Sequence, residues 1–439
     1  MSSPSPHVSS LLKVATPLIL AGLSANLSIF VDRTILSHYS VDMMSQVTTV
    51  MNYCWAIFFA TTGVTWISKV FVGQFNGAKE YHRASEITWQ MIFFSIACQL
   101  LFTLAYFAAP WIVPPLAHEH GLVYFQILML FGFTWPISSS LSSFFIGTYQ
   151  NKTFFSVLMI ANIINIGLDL LWIPTHGTYG AAMATVASMV FQNLCLLGFF
   201  LTGNNSRQYN TWRIKFNLPL IKRAILLGYP ESLSHSCEML AWATVLSIIS
   251  TKGDDYMTVS ALAQNLFILF MFMYSEVGNA VKAMAANYIG QDQRSHIPVL
   301  LQSAMILHTS FMLIIGLSLY FHPEWFIALF SLSSQTLALQ NSIIYSLQGV
   351  LLFMFLDGIA YILASLLSAY GDTFASMMIT ATNMWLFLVL PTYILINFYP
   401  TVESTHSLTV LPLYGIIIAA SYAFRHQQVK EGELSVINL

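Results

Sequence analysis

The chain has 439 residues, 56% of them hydrophobic and only 8% charged, with a mean hydropathy of +0.69. A soluble domain carries roughly 25% charged residues, so a water-soluble globular fold is excluded. A net charge of −2 leaves no basic face to neutralise phosphates, which excludes nucleic acid as a partner.

A membrane span takes about 20 apolar residues, because the hydrocarbon core is ~30 Å thick and a helix rises ~1.5 Å per residue. The N-terminal MSSPSPHVSS lacks a basic n-region, so the first apolar run reads as a span and not as a signal peptide. Hydropathy predicts a first set of spans over 11–37, 46–72, 86–108, 122–148, 153–173 and 179–202. A second set follows over 224–250, 257–289, 296–320, 337–370, 374–397 and 408–424. The polar, basic stretch TGNNSRQYNTWRIKFNLPLIKR separates them. The expected organisation is an all-α membrane protein of twelve helices, with an N-lobe over 1–203, a cytoplasmic linker over 204–223 and a C-lobe over 224–439.

Of the Lys and Arg residues, all but Arg33 and Lys252 fall on the side of the N-terminus, Lys69 and Lys282 among them. The positive-inside rule therefore predicts cytoplasmic termini. An internal repeat supports two lobes: Pro17 of ATPLIL matches Pro230 of GYPESL, VFVGQFNGAKE matches NYIGQDQRSH, and TFFS at 153 matches TFAS at 373. Six spans per half make the halves parallel, related by an axis along the membrane normal and enclosing a cavity. Cys54, Cys98, Cys195 and Cys237 stand singly in apolar runs, without the spacing of a disulfide framework or zinc site.

Charge inside a bilayer costs at least about 2.5 kcal/mol per residue, so each buried acid is a functional candidate. In the fifth span Asn162, Asn165 and Asp169 are spaced three and four apart and share one helix face, offering amide and carboxylate oxygens to a sodium ion or a proton. Asp32 of SIFVDRT and Asp169 lie roughly 30 and 24 Å along their helices, which brings both to the outer half of the N-lobe. Glu238 of HSCEMLAW and Asp357 of FMFLDGIAYILAS are the C-lobe candidates. Glu231 and Glu276 rank below them, Glu231 lying nearer the cytoplasmic end, within reach of snorkelling or of pairing with Lys222 or Arg223. His118 and His120 of AHEHG read as a solvated outer loop with no further ligand nearby, and His235 and His308 as isolated histidines. No clustered nucleophile or acid–base set supports a membrane-embedded enzyme. Some of the abundant aromatics are expected to line the cavity and attract organic cations.

In combination, the first-span proline with Asp32, GQFNGAKE, NIINIGLDLLWI, GTYGAAMATVAS, GYPESLSHSCEML and FLDGIAYILASLLSAYGDT resemble the multidrug and toxic compound extrusion (MATE) family over essentially the whole chain. The resemblance implies two six-helix lobes in a V around a central cavity, alternating access, and export of small organic molecules against H⁺ or Na⁺ across the plasma membrane, with no cofactor beyond that ion. A monomer embedded in the lipid bilayer, with a small-molecule substrate, is expected. Asp32, Asn165 and Asp169, with Thr185 as a fourth member, fall on the family's N-lobe cation site, and Glu238 and Asp357 on its C-lobe acids. Arg33, directly after Asp32, departs from the family pattern. A lipid-linked oligosaccharide flippase of the same superfamily is the alternative; it would be expected to show more spans and a cavity rich in Arg and Lys.

Overall fold

The computed structural model describes residues 4–329, 337–399 and 408–430, and all regular structure among them is helical. The first half begins with α1 (Val8–Tyr39), α2 (Val41–Trp66) and its continuation α3 (Ser68–Gly77), α4 (Tyr81–Ala97) and α5 (Gln99–Ile112). α6 (Gly121–Leu130) and α7 (Thr134–Gly147) form one span bent by 52°. Gly132 sits at that bend because a Cβ there would lie 2.3 Å from the Phe102 ring. α8 (Asn151–Leu201) is 51 residues long and holds two spans. The chain breaks direction at Gly177, whose φ of +57° only glycine adopts freely, and folds back until Gly180 lies against the Trp172 carbonyl. These are the fifth and sixth expected spans.

The stretch expected as a plain linker contains α9 (Gly203–Tyr209), and its last residues already belong to α10 (Leu218–Ser250). It is fastened to α4, where Trp89 Nε1 and Gln90 Nε2 donate to the carbonyls of Thr211 and Lys215 at 2.8 and 2.7 Å. The second half continues with α11 (Asp254–Gly290), α12 (Ile297–Phe321), α13 (Pro323–Leu329) and α14 (Leu337–Tyr370). α15 (Thr373–Met384), a π turn over Trp385–Val389 and α16 (Leu390–Phe398) form one span, and α17 (Val410–Lys430) is the last. The expected twelve spans are present in order; residues 1–3, 330–336, 400–407 and 431–439 lie outside the described residues.

The repeat is visible in the backbone, in a register different from the sequence match. α3 and α11 each end on a left-handed residue, Lys79 (φ 61°) and Asp292 (φ 58°), with the same hydrogen bonds: Glu80 N to Phe75 O, and Gln293 N to Tyr288 O. Gly77 therefore corresponds to Gly290 and Gln74 to Asn287, whereas matching the two GQ dipeptides had paired Gly73 with Gly290. The ends of α7 and α14 repeat the pattern with Tyr149 (φ 61°) and Gly371 (φ 89°).

Where the lobes meet, this correspondence becomes a contact. A Cβ on Gly77 would lie 2.1 Å from the Asn287 carbonyl, and one on Gly290 2.0 Å from the Gln74 carbonyl. Asn287 Nδ2 donates to Gly147 O at 2.9 Å, and its counterpart Gln74 Nε2 donates to Ala369 O at 2.8 Å. Each lobe thus caps the other's helix end across a pseudo-two-fold axis. This tight seam lies on the face where α1 begins, termed the terminal face below.

Candidate functional site

Asp169 is fully buried on the first arm of α8, and both of its carboxylate oxygens lack a hydrogen-bond partner. Asp32 of α1 is close enough to interact with it electrostatically, and its Oδ1 is likewise unpartnered. Buried acceptors are normally satisfied, so two such interacting carboxylates form a place where a proton or a dehydrated cation is favourable. The expected face is confirmed turn by turn. Asn162 Nδ2 donates to Ser24 Oγ at 2.7 Å, Ser28 Oγ donates to Asn165 Oδ1 at 3.0 Å, and the Asn165 amide nitrogen is unpartnered. α1 and α8 are zipped together by these bonds, which aim both aspartates into the lobe.

Two residues that sequence reasoning missed complete this pocket. Ser28 is one. Tyr124 of α6, fully buried, interacts electrostatically with both aspartates and lies near Thr185. Thr185 itself donates to Ala181 O at 3.0 Å, within its own helix. A lone tyrosine in an apolar run carries no sequence signal that would single it out.

In the C-lobe, Tyr274 of α11 donates its hydroxyl proton to Asp357 Oδ2 at 2.7 Å, and Glu238 interacts electrostatically with Asp357. The two histidines read as isolated are not. His308 packs edge-on to Tyr274 with ring centroids 5.7 Å apart, and its Nε2 lies 2.9 Å from Phe355 O. His235 Nδ1 lies 3.5 Å from Glu238 Oε2.

A third polar group lies at the seam between the lobes. Lys69 and Lys282, eight residues before Gly77 and Gly290 respectively, are pseudo-symmetric equivalents. Lys69, counted on the side of the N-terminus, is 5% exposed and donates to Asn279 Oδ1 at 2.6 Å, and Asn279 in turn donates to Glu276 Oε2 at 3.2 Å. Lys282 pairs with Glu231 at 2.9 Å, so Glu231 does not take Lys222 or Arg223; Ser368 Oγ donates to the same carboxylate. Both lysines were placed at membrane ends by counting residues, which does not reveal that those ends are buried by the other lobe. The outer loop also differs from expectation: His120 Nε2 lies 3.8 Å from Asp42 and 3.9 Å from Glu119 in an exposed group, while His118 Nε2 lies 2.9 Å from Val113 O.

Two six-span lobes joined at one face, each holding buried acids, are the architecture of a membrane transporter built on parallel repeats. Comparison with known proteins narrows that class. The MatE family model matches residues 17–171 and 230–394, and the chain belongs to this family. It is 20% identical over 390 residues to a probable multidrug resistance protein NorM of Thermotoga maritima, covering 85% of this chain and 82% of that one. It is 22% identical over 369 residues to a probable multidrug resistance protein YoeA of Bacillus subtilis, covering 79% and 77%. Among solved structures, an outward-facing multidrug resistance MATE family transporter of the MOP superfamily superposes with a TM-score of 0.87 at 16% identity, covering 98% of this chain and 97% of that one.

Proposed function

We propose that this protein is a secondary antiporter of the plasma membrane that exports small organic, cationic or amphipathic molecules in exchange for H⁺ or Na⁺ by alternating access. The observation that carries the reading is the Asp32–Asp169 pair, where three buried carboxylate oxygens have no protein donor. Fixed carboxylates in a purely structural role acquire partners, as Glu231 does from Lys282 and Ser368. The N-lobe pair has been left for a mobile ion.

The relatives named as multidrug resistance proteins support the cargo class. Alternating access is supported by the seam: glycine contacts, backbone caps and the Lys69 and Lys282 groups all lie toward the terminal face, which the positive-inside count makes cytoplasmic. The lobes are therefore closed against each other toward that face. Filling the N-lobe site from outside neutralises Asp32 or Asp169, relieves their mutual repulsion and lets α1 and α8 repack, which shifts the balance toward the inward-open state. C-lobe acids Glu238 and Asp357 supply a second titratable pair for cation or cargo.

Reconstitution into vesicles with pH and sodium gradients imposed independently tests this. Efflux of a fluorescent organic cation should follow one of the two gradients and be lost in Asp32→Asn and Asp169→Asn. Undiminished gradient-driven efflux in both variants would defeat the assignment.

A further inference from the structure

Away from both acid pairs, the terminal face of the C-lobe carries a cavity of about 450 Å³. It lies where the turn leading into α12 meets the last residues of α14 and of α17. Arg294 and Ser295 of that turn, Tyr370 of α14 and His426 of α17 form its polar end, and no carboxylate lines it among the described residues. Arg294 interacts electrostatically with Tyr370. Asp372, two residues beyond Tyr370, is held by Arg425 in a bidentate pair at 2.7 and 3.1 Å, so its charge is balanced and does not repel an anion placed beside it.

The remainder of the cavity is largely apolar and belongs to one side of α12. Pro298, Leu301, Gln302 and Met305 follow one another at helical spacing and are all at least partly exposed, whereas Leu300, Ser303 and Ala304 on the other side are buried. The start of the chain covers that other side, with Ser303 Oγ donating to Pro6 O at 2.8 Å. Beyond Gln302 the exposed side of α12 continues through Ile306, Leu313 and Leu317, each about half exposed. An outward face of wholly apolar side chains on a membrane helix is the face that meets hydrocarbon. The cavity thus begins among polar groups at the membrane edge and opens lengthwise onto the bilayer.

From Pro298 to Met305 is about 10 Å of helix at ~1.5 Å per residue. The interfacial layer on each side of a bilayer is only about 5–7 Å thick, so the cavity crosses it and reaches hydrocarbon. A small free anion at the polar end leaves the apolar walls uncovered, while a phospholipid fills both parts. We infer that this cavity is a headgroup site for an anionic phospholipid of the leaflet on the terminal face, with the phosphate held by Arg294 and His426 and the first acyl carbons laid along Leu301 and Met305. A guanidinium carries five donors, so Arg294 serves a phosphate while keeping its contact with Tyr370. Basic pockets between helices on the cytoplasmic side hold such headgroups by the same combination of charge and apolar wall. The site uses neither acid pair, so it stands or falls independently of the antiport reading.

The test is native mass spectrometry of the delipidated full-length protein titrated with phosphatidylglycerol, with phosphatidylcholine and glycerol 3-phosphate as comparisons. Wild type should take up its first phosphatidylglycerol about fivefold or more tightly than phosphatidylcholine, and an excess of glycerol 3-phosphate should not displace it. Arg294→Gln should weaken that first binding step about five- to tenfold, while Arg294→Lys keeps the charge and most of the affinity. Gln302→Trp, at an exposed position, fills the groove without altering any charge and should also weaken it; the same change at Leu313, further along the lipid-facing side, should not. The inference is overturned if the two lipids bind equally, if Arg294→Gln or Gln302→Trp binds phosphatidylglycerol as wild type does, if Arg294→Lys loses as much as Arg294→Gln, or if Leu313→Trp loses as much as Gln302→Trp. Displacement of the lipid by glycerol 3-phosphate would also overturn it, by making the cavity a site for a soluble anion.

Discussion

Replacing Asp169 by asparagine separates an ion site from a structural acid, because the two roles predict opposite signs for stability and transport. The Asp169 side chain is fully buried and neither of its oxygens receives a hydrogen bond. An ionised carboxylate at such depth costs at least about 2.5 kcal/mol, an equilibrium factor of roughly 70 at about 1.36 kcal/mol per decade. Asparagine keeps the shape, carries no charge and removes the repulsion from Asp32. The variant should therefore unfold at a higher temperature than wild type in the absence of the coupling ion, by an amount that approaches the stabilisation the ion itself gives to wild type. The same roughly 70-fold factor is what ion binding has available to shift the lobes, and the variant has lost it. In vesicles, its rate of gradient-driven efflux should fall at least about tenfold, with the residual rate insensitive to the gradient. A variant that unfolds several degrees lower and still answers the gradient would refute the reasoning, because the carboxylate would then be a structural partner.

Other consequences follow from the same geometry. Asp32→Asn combined with Asp169→Asn should transport no worse than either single variant, since two groups that share one ion act as a unit; additive losses in the efflux assay would contradict this. Lys282→Met leaves Glu231 buried without its cation and should destabilise the protein by about 3–5 kcal/mol, whereas Lys282→Met with Glu231→Gln should recover most of it in thermal unfolding. Gly77→Val and Gly290→Val place a side chain against the opposite lobe's backbone, so each should hold the seam open; cysteines introduced on α3 would then label from the terminal face, while wild type is protected in the closed state. Tyr274→Phe removes the donor to Asp357 Oδ2, a charge-assisted bond contributing about 1.5–3 kcal/mol. This variant should change the pH or sodium dependence of cargo binding to the C-lobe without loss of folding.

The spans and the N-lobe stripe were legible in the sequence for one reason: hydrophobic length and helical spacing are local properties. Asn162, Asn165 and Asp169 share a face whatever the lobe does around them. What stayed illegible is set by contacts between distant segments. Lys69 and Lys282 look like ordinary cytoplasmic charges until the other lobe covers them, and Glu231 finds Lys282 on α11 in preference to its own helix neighbours. Tyr124 joins the Asp32–Asp169 pocket from a helix with no polar pattern. His120 meets Asp42 only because two outer ends come together. The repeat was detectable, but its register was not, because a GQ dipeptide is a weaker marker than the left-handed caps at Lys79 and Asp292. The reversal at Gly177 falls in the gap predicted between the spans at 153–173 and 179–202, so it too was legible.

The central claim is that Asp32 and Asp169 exchange a mobile ion during transport. Charge displacement recorded from reconstituted protein on a solid-supported membrane, after a rapid jump in pH or in sodium without cargo, tests it most directly. Wild type should give a saturable transient current for one of the two ions, and the variant carrying both Asp32→Asn and Asp169→Asn should give none. A transient of wild-type size in that double variant would contradict the account.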